Sequence, residues 1–112
     1  MTDTAPLDTA ALQELRTIMG DEFDLLIGVF FSDSEQRLLD IAAAIARQDA
    51  EALRTTAHGF KGSALNISAA RLTELCRRLE EMGRTGQLEQ AGAVLQAVQQ
   101  EFDRVRAYLQ SP

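Results

Sequence analysis

Hydrophobic residues recur along most of this chain at the three- and four-residue spacing of amphipathic helices, and the pattern predicts five helices. A short first helix is expected between a capping Asp8 and a terminal Gly20, because a side-chain oxygen suits a helix start and glycine suits a helix end. Asp21, with Asp24 three residues later, is expected to open a second helix that runs to about Gln48.

The second half of the chain continues the helical pattern. Asp49 is expected to cap a third helix that reaches about Asn66, and Ser68 a fourth that ends in the turn sequence GRTG at residues 83–86. The fifth helix has the most regular spacing, with hydrophobic residues that alternate steps of three and four: Leu88, Ala91, Leu95, Val98, Phe102, Val105 and Leu109.

Four long amphipathic helices joined by short connections predict an all-α fold, an antiparallel four-helix bundle with a short additional N-terminal helix. A chain of 112 residues is long enough for one such domain and too short for two. Its ends, residues 1–7 and 110–112, are expected to be frayed. The run LLIGVFF at residues 25–31 is apolar around most of the helical circumference, so the first helix is expected to cover part of it and a docking partner the rest.

Charge and composition narrow the classes of function. Seventeen acidic residues against eleven basic ones give a net charge of -6, which disfavours binding to a nucleic-acid backbone. The chain shows no leader sequence and no apolar run of the ~20 residues that a membrane span needs, so a cytoplasmic protein without a membrane partner is expected. One histidine and one cysteine support a metal site only weakly, and Cys76 falls on the apolar side of its helix.

The only histidine lies in the stretch RTTAHGFKGSALN of the third helix. At about 100° per residue, His58 projects away from the apolar side of that helix, so it is expected to face solvent. The apolar positions almost opposite His58 are Leu53, Phe60 and Ile67. The positions on the same side as His58 are Glu51, Arg54, Thr55, Lys61 and Gly62.

A glycine one turn from the histidine points to a chemical role for this face. Glycine inside a helix costs roughly 1 kcal/mol relative to alanine, and at Gly62 it leaves the imidazole open to a large reactant such as another protein's active site. An exposed imidazole is a nucleophile at neutral pH and accepts a phosphoryl group. Lys61 is placed to reach the oxygens of a phosphate on His58, although its spacing fits a simply solvated lysine equally well.

Three other features of this region bear on its function. Gly59 is interpreted as a position of close packing against a neighbouring helix. Hydrolysis by Ser63 with His58 is disfavoured, because side chains five residues apart on a helix point about 140° away from each other. From Arg54 to Arg78, five basic residues stand against one acidic residue, which predicts a local positive region suited to an acidic partner surface.

The motif AHGFKGS, followed by LCRRLE, resembles the histidine phosphotransfer (HPt) domain of bacterial phosphorelays, and the likeness extends over nearly the whole chain. It is sharpest at His58, Lys61, Gly62 and Ser63. The resemblance implies that His58 is the phosphorylated residue, that Lys61 supports the phosphate, and that Gly62 keeps the site open to a receiver domain.

Three positions depart from the family pattern. Ala64 stands where the family often has a second serine, and Ser68 where it often has glycine. Both lie after the histidine, so they affect local capping more than phosphotransfer. Phe60 replaces the more usual leucine on the core side, which is expected to alter packing and not chemistry.

The resemblance implies a phosphorelay protein that accepts a phosphoryl group from a receiver-domain aspartate and passes it to another response regulator. The expected partners are response-regulator receiver domains and a hybrid sensor kinase, and the chain is expected to be a monomer. The sequence has no glycine-rich phosphate loop, so no autonomous kinase or hydrolase activity and no cofactor of its own are expected, with Mg²⁺ supplied at the partner receiver.

Docking is expected on the second and third helices around the histidine. The residues predicted for it are Phe30, Ser34, Arg37, Arg54, Thr55 and Leu65, with Phe31 as an alternative to Phe30. The competing function is an adaptor bundle that binds partner proteins without being phosphorylated.

Overall fold

The structure, a computed structural model, describes residues 5–110 of the chain. Within that range it has five α-helices and no strand: α1 Thr9–Met19, α2 Glu22–Ala46, α3 Ala50–Asn66, α4 Ala70–Thr85 and α5 Ala91–Gln110. The predicted frayed segments 1–4 and 111–112 lie outside the described residues. Gln110, also predicted to be frayed, belongs to α5.

The four long helices form a closed bundle. Helix α3 packs against α2 and α4, and α5 packs against α4 and α2, while α1 packs on α2. The connections between the four long helices are too short for parallel neighbours, so consecutive long helices run antiparallel. The predicted all-α bundle with an additional N-terminal helix is confirmed.

Aromatic side chains fill the centre of the bundle. The ring of Phe102 on α5 lies 5.9 Å from that of Phe30 on α2 and 6.4 Å from that of Phe60 on α3, measured between centroids. These distances suit tilted and edge-on ring packing, which adds to the stabilisation from buried area. One cluster of rings therefore joins three of the four helices.

The predicted capping hydrogen bonds are confirmed at two of four places. Asp8 accepts a hydrogen bond from the backbone N–H of Ala11, and Asp49 accepts one from Ala52, as capping residues do. Asp21 stands directly before α2, as predicted, but its backbone is already helical, with φ −62°, and its side chain makes no capping bond. The predicted cap at Ser68 is also wrong, because Ala69 occupies that position.

Ser68 instead closes the preceding helix. Its φ of +60° lies in the left-handed region, its N–H bonds the carbonyl of Leu65, and the N–H of Ala69 bonds that of Ala64. These two bonds satisfy the last carbonyls of α3. Gln48, with φ +54°, does the same after α2. Helices α2 and α3 thus end in a glycine-type turn that contains no glycine.

The chain before α1 is anchored rather than frayed. Leu7 is buried in the core, and the N–H of Asp8 bonds the carbonyl of Ser68 at 2.9 Å. The prediction of a frayed end is therefore wrong at Leu7, because one leucine and one backbone bond fix this segment to the turn between α3 and α4.

Helices α3 and α4 approach each other closely at Gly83, which lies within α4, while Gly86 is the residue that ends the helix. A Cβ added at Gly83 would stand 2.6 Å from the backbone nitrogen of Arg54 and 2.7 Å from the carbonyl oxygen of Ala50. Both atoms belong to the α3 backbone and cannot rotate away. Gly83 is therefore required for this contact.

We expect Gly83→Ala to lower the free energy of unfolding by about 1–3 kcal/mol, the usual cost of overpacking, because the added methyl forces the two backbones apart. Gly28 is the matched control, since it lies in the interior of α2 and no atom of residues 5–110 stands within 4 Å of an added Cβ. There alanine should stabilise the protein by roughly 0.5–1 kcal/mol through helix propensity. Urea unfolding of both variants tests this, and a neutral Gly83→Ala would contradict it.

Candidate functional site

Helix α3 separates a buried face from a solvent face. The buried face consists of Leu53, Ala57, Phe60 and Ala64. On the solvent face stands His58, whose side chain is 64% exposed, as its position on the helical wheel predicts. Gly62, one turn later on the same face, is also exposed. The only imidazole of the chain is therefore open to large reactants.

A carboxylate from α4 holds the imidazole in place. Oε2 of Glu80 lies 2.8 Å from Nδ1 of His58, and Oε1 of the same residue lies 2.7 Å from Nζ of Lys61. Lys61 is half-buried in this position, so it is not a simply solvated lysine. One carboxylate thus joins the two side chains that the sequence predicts for phosphate chemistry.

The charge of Glu80 determines which ring nitrogen carries the proton. The pKa of Glu80 is lowered from its ordinary 4.5, first by the hydrogen bond from Lys61 and, against the opposing effect of burial, also by that from His58. Glu80 is therefore ionised at neutral pH and only accepts hydrogen bonds. A neutral His58 then donates from Nδ1 and keeps its free lone pair on Nε2.

Space around the imidazole is preserved at Gly62. Among residues 5–110, no atom lies within 4 Å of a Cβ added there, so none of their packing requires the glycine. Gly59 differs, because an added Cβ would stand 2.7 Å from Cζ of Arg37 on α2. The interpretation of Gly59 as a packing position is confirmed, with a guanidinium as the group that packs on it.

The predicted docking residues do not all lie on the surface. Phe30 is 4% exposed and Ser34 is fully buried, so both predictions are wrong. They lie four residues apart on the stripe of α2 that faces the core, where Phe30 contacts the ring of Phe102. Phe31, the alternative, is half-buried against the same ring.

The other predicted docking residues reach the surface. Thr55 is exposed and Leu65 is 66% exposed, both on the solvent face of α3. Arg37 and Arg54 are half-buried at the borders of α3 with α2 and α4. Each pairs with a carboxylate on its own helix, Arg37 with Asp33 and Arg54 with Glu51.

Two apolar side chains of α2 extend this surface. Leu25 and Val29 belong to the LLIGVFF run and are largely exposed, because α1 covers only part of that run. A groove of about 150 Å³ lies beside Val29, between α2 and α3, with Ser63 and Asn66 on its other wall. We call Leu25, Val29 and Leu65 the apolar patch; it remains available to a partner, as the pattern predicts.

The predicted positive region is largely neutralised. Arg54 pairs with Glu51, Lys61 with Glu80, Arg77 with Glu74, and Arg71 with Glu101. Three of these acidic partners, Glu51, Glu80 and Glu101, lie outside the segment from Arg54 to Arg78. The local positive region expected from the sequence therefore keeps little net charge.

Three further observations bear on possible functions. Residues 5–110 contain no group of three or more His, Cys, Asp or Glu side chains able to hold a metal ion. Burial raises the pKa of the Cys76 thiol to about 12, so this cysteine stays protonated and packs as a core residue. In the described part of the chain, no helix combines the length and apolar character that crossing a membrane requires.

Comparison with known proteins identifies the family. The family model described as Hpt domain matches residues 25–108. The chain belongs to the Hpt domain family. Its structure is similar to the crystal structure of histidine-containing phosphotransfer protein B (HptB) from Pseudomonas aeruginosa PAO1, with a TM-score of 0.91 and 40% sequence identity over 95% of this chain and 92% of that one. A search of curated proteins gave no match.

As an Hpt domain, the protein has a histidine phosphotransfer function in a two-component phosphorelay, and Hpt proteins interact with receiver domains and kinases. The adaptor alternative is not favoured. Sequence reasoning missed Glu80, although it is the last residue of the LCRRLE motif. It also missed Asp33, which pairs with Arg37 and lies 3.5 Å from the hydroxyl of Ser63. The contacts of Glu80 with His58 and of Asp33 with Ser63 join different helices, which the wheel of a single helix does not show.

We expect Glu80→Gln to lower the free energy of unfolding at neutral pH, and the loss to shrink in acid. Because the pKa of Glu80 is lower in the folded protein than its ordinary 4.5, its stabilising contribution is present above that pH and is lost as the pH falls through the lowered native pKa. Urea unfolding of wild type and variant, at neutral pH and at several values below 4.5, measures the difference.

Glu89→Gln is the matched control, since Glu89 is exposed on the turn before α5. Its difference from wild type should be small throughout. If the Glu80→Gln difference were the same in acid as at neutral pH, the ion pair with Lys61 and His58 would not be the source of the stabilisation.

Proposed function

We propose that His58 is the residue that accepts the phosphoryl group, through Nε2, from the aspartyl phosphate of a receiver domain. One observation carries the proposal: the only imidazole in the chain is exposed, with Nδ1 held by Glu80 and Nε2 left as the nucleophile. The direction of net transfer depends on the partners, because the same site accepts and returns the group.

The transfer itself needs no proton movement on the protein. The Nε2 lone pair attacks phosphorus, an N–P bond forms, and the P–O bond to the receiver aspartate breaks as its carboxylate leaves. The ring keeps its proton on Nδ1 and becomes positively charged. Glu80 stabilises that charge across a 2.8 Å hydrogen bond that exists before the reaction starts.

Lys61 is proposed to support the phosphate. An ammonium group has three N–H donors, so the pair with Glu80 leaves others for the phosphoryl oxygens on His58. The pair also limits where the ammonium group can lie. Gly62 is proposed to give the receiver's active site access to Nε2, since no atom of the described residues lies within 4 Å of a Cβ added there.

The partners proposed in detail are response-regulator receiver domains and a hybrid sensor kinase. Docking would use the apolar patch with Thr55 and the half-buried Arg37 and Arg54. Mg²⁺ would be bound by the receiver domain, where it would neutralise the charge of the aspartyl phosphate. The bundle would bind no cofactor. A monomeric, cytoplasmic protein without nucleic-acid or membrane partners stays a prediction of the sequence.

We expect wild-type protein mixed with a radiolabelled phospho-receiver domain and Mg²⁺ to gain an acid-labile, base-stable label, and His58→Gln to gain none. Phosphoramidate bonds are labile in acid, which distinguishes this label from phosphoserine. Gel autoradiography after acid and base treatment measures the transfer. Circular dichroism of His58→Gln serves as a folding control, because His58 lies on the surface and its loss should leave the helices intact.

Label of the same lability on His58→Gln would refute the assignment. Label on neither protein, with several receiver domains tested, would mean that the site does not accept a phosphoryl group from receivers.

We expect Gly62→Ala to stabilise the protein by roughly 0.5–1 kcal/mol, through helix propensity, and yet to slow phosphotransfer. The added methyl meets no atom of residues 5–110 but lies in the space that an incoming receiver needs. Gly62→Gln should slow transfer further. Gly92→Ala is the control for transfer: because Gly92 lies in the first turn of α5, its gain in stability should be smaller, and transfer should stay at the wild-type rate. Equal transfer rates in all four proteins would remove the access role of Gly62.

A further inference from the structure

Gly59 holds the guanidinium of Arg37. A Cβ added at Gly59 would stand 2.7 Å from Cζ of Arg37, so the planar guanidinium occupies the space of the missing side chain. Glycine in the interior of a helix is less favourable than alanine, so this position needs a reason. Access to His58 is not that reason, because the two residues lie about 100° apart around the helix.

Asp33 fixes the orientation of that guanidinium. Asp33 lies one turn before Arg37 on α2, and its Oδ2 accepts a hydrogen bond from Nε of Arg37 at 2.8 Å. The hydroxyl of Ser63 on α3 also donates a hydrogen bond to that oxygen, at 3.5 Å. Within residues 5–110, Nη1 and Nη2 of Arg37 make no hydrogen bond. Two donor groups therefore remain available at the border of α2 and α3.

The location of this pair matters for the transfer reaction. Gly59 directly follows His58, so Arg37 stands on the α2 side of the imidazole, while Glu80 and Lys61 stand on the α4 side. Because Asp33 partly balances the charge of Arg37, this arginine attracts a distant partner only weakly. Its fixed pair of donors instead suits a short-range contact with a planar acceptor such as a carboxylate.

We propose that Arg37 is a specificity-determining residue, whose guanidinium, seated on Gly59 and oriented by Asp33, binds a carboxylate of the docked receiver domain. Gly59 then has no side chain because any side chain there would displace the guanidinium of Arg37. This inference rests on the proposed function, since it concerns docking to the partner that delivers the phosphoryl group. It adds a directional contact next to the apolar patch, which by itself discriminates little between partners.

The test is phosphotransfer at increasing concentrations of one phospho-receiver domain. Arg37→Gln should raise KM about tenfold, the size expected for one charge-assisted hydrogen bond, with kcat within about twofold of wild type. Arg37→Lys should raise KM similarly, because an ammonium group keeps the charge but lacks the planar pair of donors. Arg47→Gln is the matched control, since Arg47 lies at the far end of α2 and also pairs with an aspartate, Asp49. Its KM should stay unchanged.

Gly59→Ala tests independently whether the guanidinium of Arg37 must pack on Gly59. Alone, it should raise KM to a similar extent, because the methyl displaces the guanidinium. Combined with Arg37→Gln, it should raise KM no further, and it should make the protein more stable than Arg37→Gln alone. Additive effects on KM, or an unchanged KM in Arg37→Gln, would overturn the inference. Those outcomes leave the proposed function standing as long as wild type is labelled and His58→Gln is not.

Discussion

The carboxylate of Glu80 reaches His58 only because α3 and α4 lie in backbone contact one turn away. Gly83, three residues after Glu80 on α4, allows that contact, since any side chain there would meet the α3 backbone at less than 3 Å. The ion pair with Lys61 and the hydrogen bond to Nδ1 both span the same two helices. The chemistry of the imidazole therefore depends on a packing contact that is not itself part of the site.

Three glycines near this site lack a side chain for three different reasons. At Gly83 the space is filled by backbone and at Gly59 by a guanidinium, while at Gly62 no atom of residues 5–110 fills it. All three lie in helices, where glycine is unfavourable by propensity. Contacts explain two of them, helix packing at Gly83 and the seating of Arg37 at Gly59, and the open space at Gly62 fits the access proposed for a partner.

The fold could be predicted from the sequence, because the spacing of apolar residues decides which side of each helix is buried. Exposure of His58 followed from the same rule, and so did its separation from the core. On α2 the same spacing continues the buried stripe through Phe30 and Ser34, although both were predicted at the surface. The serine was misleading, since a hydroxyl group in a core stripe is uncommon.

Contacts between helices were beyond prediction from one sequence. Glu80 lies 22 residues from His58 and the partners of the arginines include residues on other helices, so the balance of charge around the site depends on the packing. The turns at Gln48 and Ser68 could not be predicted from the sequence for a local reason. Both adopt a positive φ without the glycine that normally signals it.

Neutralised charges also limit how a partner is recognised. With most of its basic groups paired inside the chain, the surface around His58 has little net field to attract an acidic receiver from a distance. In the docking proposed above, contact would rely on the apolar patch, which loses water on docking, and on a few directional groups at its border. Three exposed aliphatic side chains form a small area, which fits a transient complex. A relay protein needs such a complex, because a partner that stays bound blocks the next transfer.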